Sequence, residues 1–134
     1  MTETKPRSSF PSTFWVANVM ELFERAAYYG MNSVLAVRER VSSKWFALNV
    51  DIGSLRTTAD PYEEIARLAP FACTWQIKER VYRREVEEKT DLRRIAAILR
   101  ESGYRGYLPL ETLGPGEPRE KVRRWLGEVQ EALA

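Results

Sequence analysis

From Trp45 to the end of the chain, short apolar runs alternate with capped amphipathic helices, and this alternation constrains the fold more than any other feature. The run from Trp45 to Val50 is almost continuously apolar, as in a strand buried on both faces of a parallel sheet. Asp60 and Pro61 then form a helix start, an N-cap followed by a proline in the first turn, and Pro70 ends that helix. A second strand is predicted over residues 71–77. Thr90 or Asp91 caps the next helix, with Leu92, Ile95, Ala96 and Leu99 on one face and Gly103 at its C-terminal end. A third strand is predicted over residues 106–111, and Pro118 opens a last helix with a stripe of Val122, Trp125, Leu126, Val129 and Leu133.

Three parallel strand-helix units in succession, at a pitch of roughly 30 residues, match part of a (β/α) barrel of eight such units. The fold class expected is therefore α/β, a partial barrel, and its shortfall of units reads as a truncated or fused gene product. A doubly wound sheet is the alternative home for the pattern. It lacks support, because Asp51-Ile52-Gly53-Ser54 is no phosphate-binding Gly-x-Gly-x-x-Gly fingerprint. Three strands alone leave open sheet edges, which points to homo-oligomer formation through them.

The chain has 134 residues, 44% hydrophobic and 30% charged, too polar overall for a protein of many membrane spans. Acidic and basic residues alternate along the helices and the net charge is only +2, so nucleic acid is not an expected partner. Cys73, the single cysteine, suits a reducing compartment and, within its apolar run, a buried position. Absence of histidine excludes a Ser-His-Asp or Cys-His site built from this chain.

In β/α barrels chemistry sits at the C-terminal ends of the strands. There the sequence places Asp51, then Gln76, Lys78 and Glu79, then Glu111. Asp51, Glu111 and Gln76 are hard oxygen donors suited to a divalent metal (Mn, Mg, Co or Zn) that polarises a sugar carbonyl. Lys78 is placed to neutralise a developing oxyanion and Glu79 to move protons. The competing readings are structural: Asp51 capping a turn at Gly53, Lys78 and Glu79 a solvated pair, Glu111 an acceptor for the following loop.

Residues 1–10 form a polar tail, and residues 11–37 a long hydrophobic helix of about the length needed to cross a bilayer. Glu21, Glu24 and Arg25 interrupt it on one face, which in lipid requires other helices or water around them. An amphipathic helix packed on a neighbour is the alternative. Phe14-Trp15-Val16-Ala17-Asn18 followed by Glu21, Glu24, Arg25, Tyr28, Tyr29 and Gly30 resembles the first transmembrane helix of the proton-dependent oligopeptide transporter family, with its Glu-x-x-Glu-Arg signature. Ala26 departs from the aromatic residue common there. That resemblance implies a motif for proton coupling and peptide binding and, as the alternative to a cytoplasmic location, association with a membrane. Residues 38–44 form the junction and residues 45–134 the barrel-like domain.

A second resemblance covers that domain. Leu48-Asn49-Val50-Asp51-Ile52-Gly53-Ser54, Thr74-Trp75-Gln76-Ile77-Lys78-Glu79 and Tyr107-Leu108-Pro109-Leu110-Glu111-Thr112 resemble the last three strands of the xylose isomerase-like barrel family of sugar phosphate isomerases and epimerases. The resemblance implies metal-assisted isomerisation or epimerisation of a sugar or sugar phosphate. It also implies metal ligation by Asp51 and Glu111, with Ser54 standing where a histidine often follows and Gln76 or Thr74 where another is common.

Overall fold

The computed structural model describes residues 31–41 and 46–134. In chain order the elements are helix α1 (Met31–Arg40), strand β1 (Leu48–Asp51), helix α2 (Pro61–Leu68), a single 3₁₀ turn (Ala69–Phe71) and strand β2 (Ala72–Lys78). Strands β3 (Arg80–Arg83) and β4 (Val86–Lys89), helix α3 (Leu92–Ser102), strand β5 (Leu110–Glu111) and helix α4 (Pro118–Leu133) follow. Strands β1, β2 and β5 form a parallel sheet in that order, and β3 and β4 an antiparallel hairpin of their own.

Local chemistry accounts for the helix boundaries. Asp60 stays extended and its carboxylate accepts the Tyr62 N–H at 3.0 Å, while Pro61 occupies the first turn, where a missing N–H costs nothing. Asp91 caps α3 by accepting the N–H groups of Arg93 and Arg94 at 3.0 and 3.2 Å. At the other end Gly103 takes the left-handed conformation, φ 69°, that closes a helix at little steric cost. Glu117 rather than a shorter side chain caps α4, accepting the Glu120 N–H at 2.8 Å.

Burial alternates along β2. Trp75 and Ile77 are fully buried, whereas Thr74, Gln76 and Lys78 are only partly so, which places one sheet face against the helices. Ile65 and Leu68 from α2, Ile95, Ile98 and Leu99 from α3, and Trp125 and Val129 from α4 complete that core with Val50. Each large apolar side chain so buried contributes about 1.5–3 kcal/mol. Trp125 also donates its indole N–H to the Ile77 carbonyl at 3.1 Å, fixing α4 to the strand it covers. Leu35 and Val37 of α1 pack against the same core.

Three expectations change. The third strand, expected over 106–111, shrinks to two residues: Pro109 has no N–H to give, and only its carbonyl joins the ladder, accepting Ile77 N–H at 2.8 Å. Cys73 is exposed rather than buried. The pairing passes from Leu48↔Ala72 to Asn49↔Thr74, so Cys73 is the extra residue of a bulge, which breaks the alternation that would have turned it inward. The β3–β4 hairpin was not expected; between the second strand and the second helix the sequence had suggested only a connection.

The long hydrophobic helix expected over 11–37 lies outside the described residues except for its last part, where α1 runs through Val37 to Arg40. Among the described residues no helix is long and apolar enough to cross a membrane.

Candidate functional site

Asp51, Lys78 and Glu111 are the last residues of β1, β2 and β5, so the parallel sheet delivers all three side chains to one end. Lys78 reaches to both sides. Its Nζ lies 2.8 Å from Asp51 Oδ2 and 3.4 Å from Glu111 Oε2, so one ammonium ties the carboxyl ends of three strands together. The Asp51 side chain is only 5% exposed, and two local donors also hold it: Oδ1 accepts the Gly53 N–H at 2.9 Å and Oδ2 the Ser54 hydroxyl at 2.5 Å. Gly53 is needed for this arrangement. A Cβ there would stand 2.7 Å from Lys78 Cδ and 3.3 Å from the Arg80 carbonyl oxygen, in the path the lysine takes to Asp51.

Burial acts to lower the pKa of Lys78, but the Asp51 carboxylate, through both its hydrogen bond and its charge, and then Glu111 hold it above the ordinary lysine value. Lys78 is therefore a fixed cation near neutral pH. It can stabilise an oxyanion and cannot serve as a base.

Beside this cluster lies a cavity of 320 Å³, within the size range of small-ligand sites, lined in part by Gly53, Arg56, Lys78, Glu79, Tyr82 and Glu111. Loop residues Leu113–Pro115 close one side and the β3–β4 hairpin another. Glu79 faces the cavity while its carboxylate is held from outside by Arg124 at 3.1 Å. Asp51 and Gln76 do not line it; Gln76 is partly buried and pairs with Asp51 in the register of β1 and β2. Of the five strand-end residues singled out from sequence, the structure thus brings Lys78, Glu79 and Glu111 to the cavity and joins Asp51 to them through Lys78. Glu21, Glu24, Arg25, Tyr28 and Tyr29 lie outside the described residues.

Sequence reasoning missed the wall. Arg56 lies in the loop after β1, and its guanidinium sits 4.2 Å over the centroid of the Tyr82 ring, on the hairpin. The Tyr82 hydroxyl donates to Glu87 Oε2 at 3.0 Å, and Arg80 pairs with the same side chain at 3.5 Å. The adjacent β-formers Val81 and Tyr82, set among charged residues, were the available signal, but the turn at Arg84-Glu85 carries none of the usual turn residues.

Asp51, Gln76 and Glu111 offer two carboxylates and an amide to a divalent cation, a fitting set of hard oxygen donors. Lys78 competes for both carboxylates. Among the described residues no group of three or more histidine, cysteine, aspartate and glutamate side chains comes together to hold a metal. No protein-family model matches the chain, and no curated protein matches its sequence.

Proposed function

We propose that residues 46–134 are a three-unit segment of a singly wound β/α barrel whose strand-end cavity takes a sugar-type polyol, the chemistry descending from metal-assisted isomerisation or epimerisation. The observation that carries this reading is the convergence of Asp51, Lys78 and Glu111 on the carboxyl ends of three parallel strands beside a ligand-sized cavity. Strand order supports the architecture. Strands in sequential order, joined by crossovers of the usual right hand, place their helices on one face, as in barrels, whereas doubly wound sheets reverse order and cover both. One-sided burial along β2 agrees with that.

Each residue then has a role. Lys78, charged near neutral pH, faces the oxygen on which negative charge develops when a sugar carbonyl enolises. Glu79, which lines the cavity, is the carboxylate placed to move a proton, with Glu111, 36% exposed, beside it. Asp51, Gln76 and Glu111 are the residues that would hold a divalent cation, with only Glu111 reaching the cavity itself, and such a cation would supply Lewis-acid polarisation of a carbonyl. Lys78 must give up its two carboxylates for that, so cation binding and the lysine bridge oppose each other. The single cysteine suits the cytoplasm. The peptide-transporter alternative rests on residues outside the described structure.

The test is melting of the full chain with Mn²⁺ or Mg²⁺, followed by solvent-deuterium incorporation into a panel of ketoses watched by proton NMR. A metal-dependent rise in Tm is expected. It should be lost in Asp51→Asn/Glu111→Gln and enlarged in Lys78→Met, where the competing ammonium is gone. No shift in any of these proteins would sink the metal reading, and no deuterium incorporation with any ketose the isomerase reading.

A further inference from the structure

Three successive carbonyls at the end of β2 are each taken up by a neighbouring element. Ile77 accepts the Trp125 indole N–H at 3.1 Å, Lys78 the Thr90 hydroxyl at 2.7 Å and Glu79 the Thr90 N–H at 3.0 Å. The main chain up to Glu79 is thereby fixed. A glutamate side chain still has three torsions to turn about, and at Glu79 a single bond restrains them: Oε1 accepts from Arg124 Nη2 at 3.1 Å. Oε2 carries no hydrogen bond or ion pair among the described residues, and the side chain, 20% exposed, lines the strand-end cavity.

Arg124 reaches Glu79 from the far side. It lines a second cavity, of 390 Å³, and not the first; Glu79, Arg80, Leu113 and Pro115 are common to both and form the partition between them. Two neighbours set its place. Trp125, the next residue on α4, is 1% exposed and bonded to β2, so the helix cannot slide along the strand. Glu128, one turn on, lies 3.8 Å from Arg124 Nε through Oε1, while its Oε2 pairs with Lys89 at 3.1 Å. One guanidinium thus stands between the carboxylates of Glu79 and Glu128. Asp51 and Glu111 share the Lys78 ammonium, whereas Glu79 has a cation of its own, placed outside the ligand's space.

We infer that Arg124 is a positioning residue for proton transfer: it holds Glu79 by Oε1, so that Oε2 is the atom presented to the ligand. The inference rests on the isomerase reading and deepens it by naming the base and the group that aims it. In the step, Glu79 Oε2 takes the proton from the carbon next to the ligand's carbonyl. The C–H electron pair becomes the C=C bond of an enolate, and the carbonyl π pair passes to the oxygen that Lys78 faces. Return of a proton from Oε2 to the carbon regenerates the carbonyl, and in D₂O the returning proton is solvent deuterium. Displacing a catalytic group by about 1 Å costs on the order of a hundredfold, which is the scale on which an untethered Glu79 should be felt.

Solvent-deuterium exchange into D-xylulose, D-fructose and D-tagatose with Mg²⁺ present, followed by proton NMR on the full chain, tests it. Wild type is compared with Arg124→Gln, Arg124→Lys, Glu79→Gln, the double variant Arg124→Gln/Glu79→Gln and, as an exposed control on α4, Arg119→Gln. Expected in Arg124→Gln is a fall in kcat of about tenfold to a hundredfold with KM little changed, because the arginine does not meet the ligand, and Arg124→Lys should restore part of it. In the Glu79→Gln background Arg124→Gln should lower kcat no further, since its effect passes through that carboxylate. Arg124 is 63% exposed, so the Tm of its variants should stay near that of the wild type. Losses that add in the double variant, a loss equalled by Arg119→Gln, a change confined to KM, or no loss at all overturn the inference. Exchange that survives Glu79→Gln removes the Arg124 role and leaves the isomerase reading standing. No exchange in the wild type with any of the three ketoses brings down both.

Discussion

Removing Lys78 should do more to this protein than removing any surface lysine. In Lys78→Met the Asp51 carboxylate, 5% exposed, keeps the Gly53 N–H and the Ser54 hydroxyl but loses the cation 2.8 Å away. Breaking a fully buried ion pair costs about 3–5 kcal/mol, and a charge-assisted hydrogen bond contributes about 1.5–3 kcal/mol. Lys78 is 17% exposed and Asp51 retains two donors, so the loss belongs near the lower of these, about 2 kcal/mol. Asp51→Asn alone leaves Lys78 with Glu111 at 3.4 Å and should cost about 1 kcal/mol. In the double variant the uncompensated charge is gone, so Asp51→Asn should restore part of what Lys78→Met removes, giving a coupling of at least about 1 kcal/mol. Urea unfolding followed by tryptophan fluorescence is the assay, since Trp75 and Trp125 are 0% and 1% exposed and report the core directly. Single-variant losses that simply add, within about 0.3 kcal/mol, would refute the reasoning. The ammonium would then be solvated, and the three strand ends held by backbone alone.

Alkaline pH supplies a second check. Lys78 has its folded pKa raised above 10.5, so its contribution is complete below that value and is lost as pH rises through the folded one; the stability gap between wild type and Lys78→Met should close over that range in urea titrations. Burial likewise raises Tyr62 above 10.0, so its phenol stays protonated in the folded chain after exposed tyrosines ionise, and stability should fall further as pH climbs past that point. Absorbance at alkaline pH that shows all tyrosines titrating together, with the chain still folded, would contradict this. Glu85→Gly relieves a left-handed φ of 69° while keeping the N–H bonded to Arg56, and should stabilise by up to about 1 kcal/mol. Destabilisation there would mean that the left-handed φ costs a glutamate nothing at this turn. Trp125→Phe removes the donor to the Ile77 carbonyl and leaves a void in the core, for a loss of about 2 kcal/mol in the same unfolding assay.

Helix starts were legible because their causes are local: Asp60 with Pro61, Asp91, and Pro118 act within a turn of themselves. Asp51 and Glu111 were legible for a different reason, since the last residue of a strand in a parallel sheet is delivered to one edge whatever follows. Lys78 between them was placed at the site by its position, but its bridging of both carboxylates depends on the missing side chain of Gly53, a contact made only in three dimensions. The hairpin escaped for a physical reason as well. Arg80 to Lys89 is mostly charged, so its period-two pattern is faint, and its two-residue turn takes the positive φ values such a loop requires at Arg84 and Glu85, with no glycine or asparagine to announce it. Arg56 followed it out of view, because nothing in the sequence brings that residue to Tyr82.

The neck of the hairpin carries a consequence for how this cavity can change. Thr90 closes it, its N–H donating to the Glu79 carbonyl at 3.0 Å and its hydroxyl to the Lys78 carbonyl at 2.7 Å, and Val81 is fully buried just inside. Chain positions 79 and 90 are thereby buttoned together. Provided Val81 and Thr90 are kept, the outer half of the loop can be rewritten in length or charge without moving β2 or the start of α3. Ligand preference and scaffold are inherited separately in such an arrangement, and variation in this molecule should accumulate between residues 82 and 88 long before it reaches the parallel sheet.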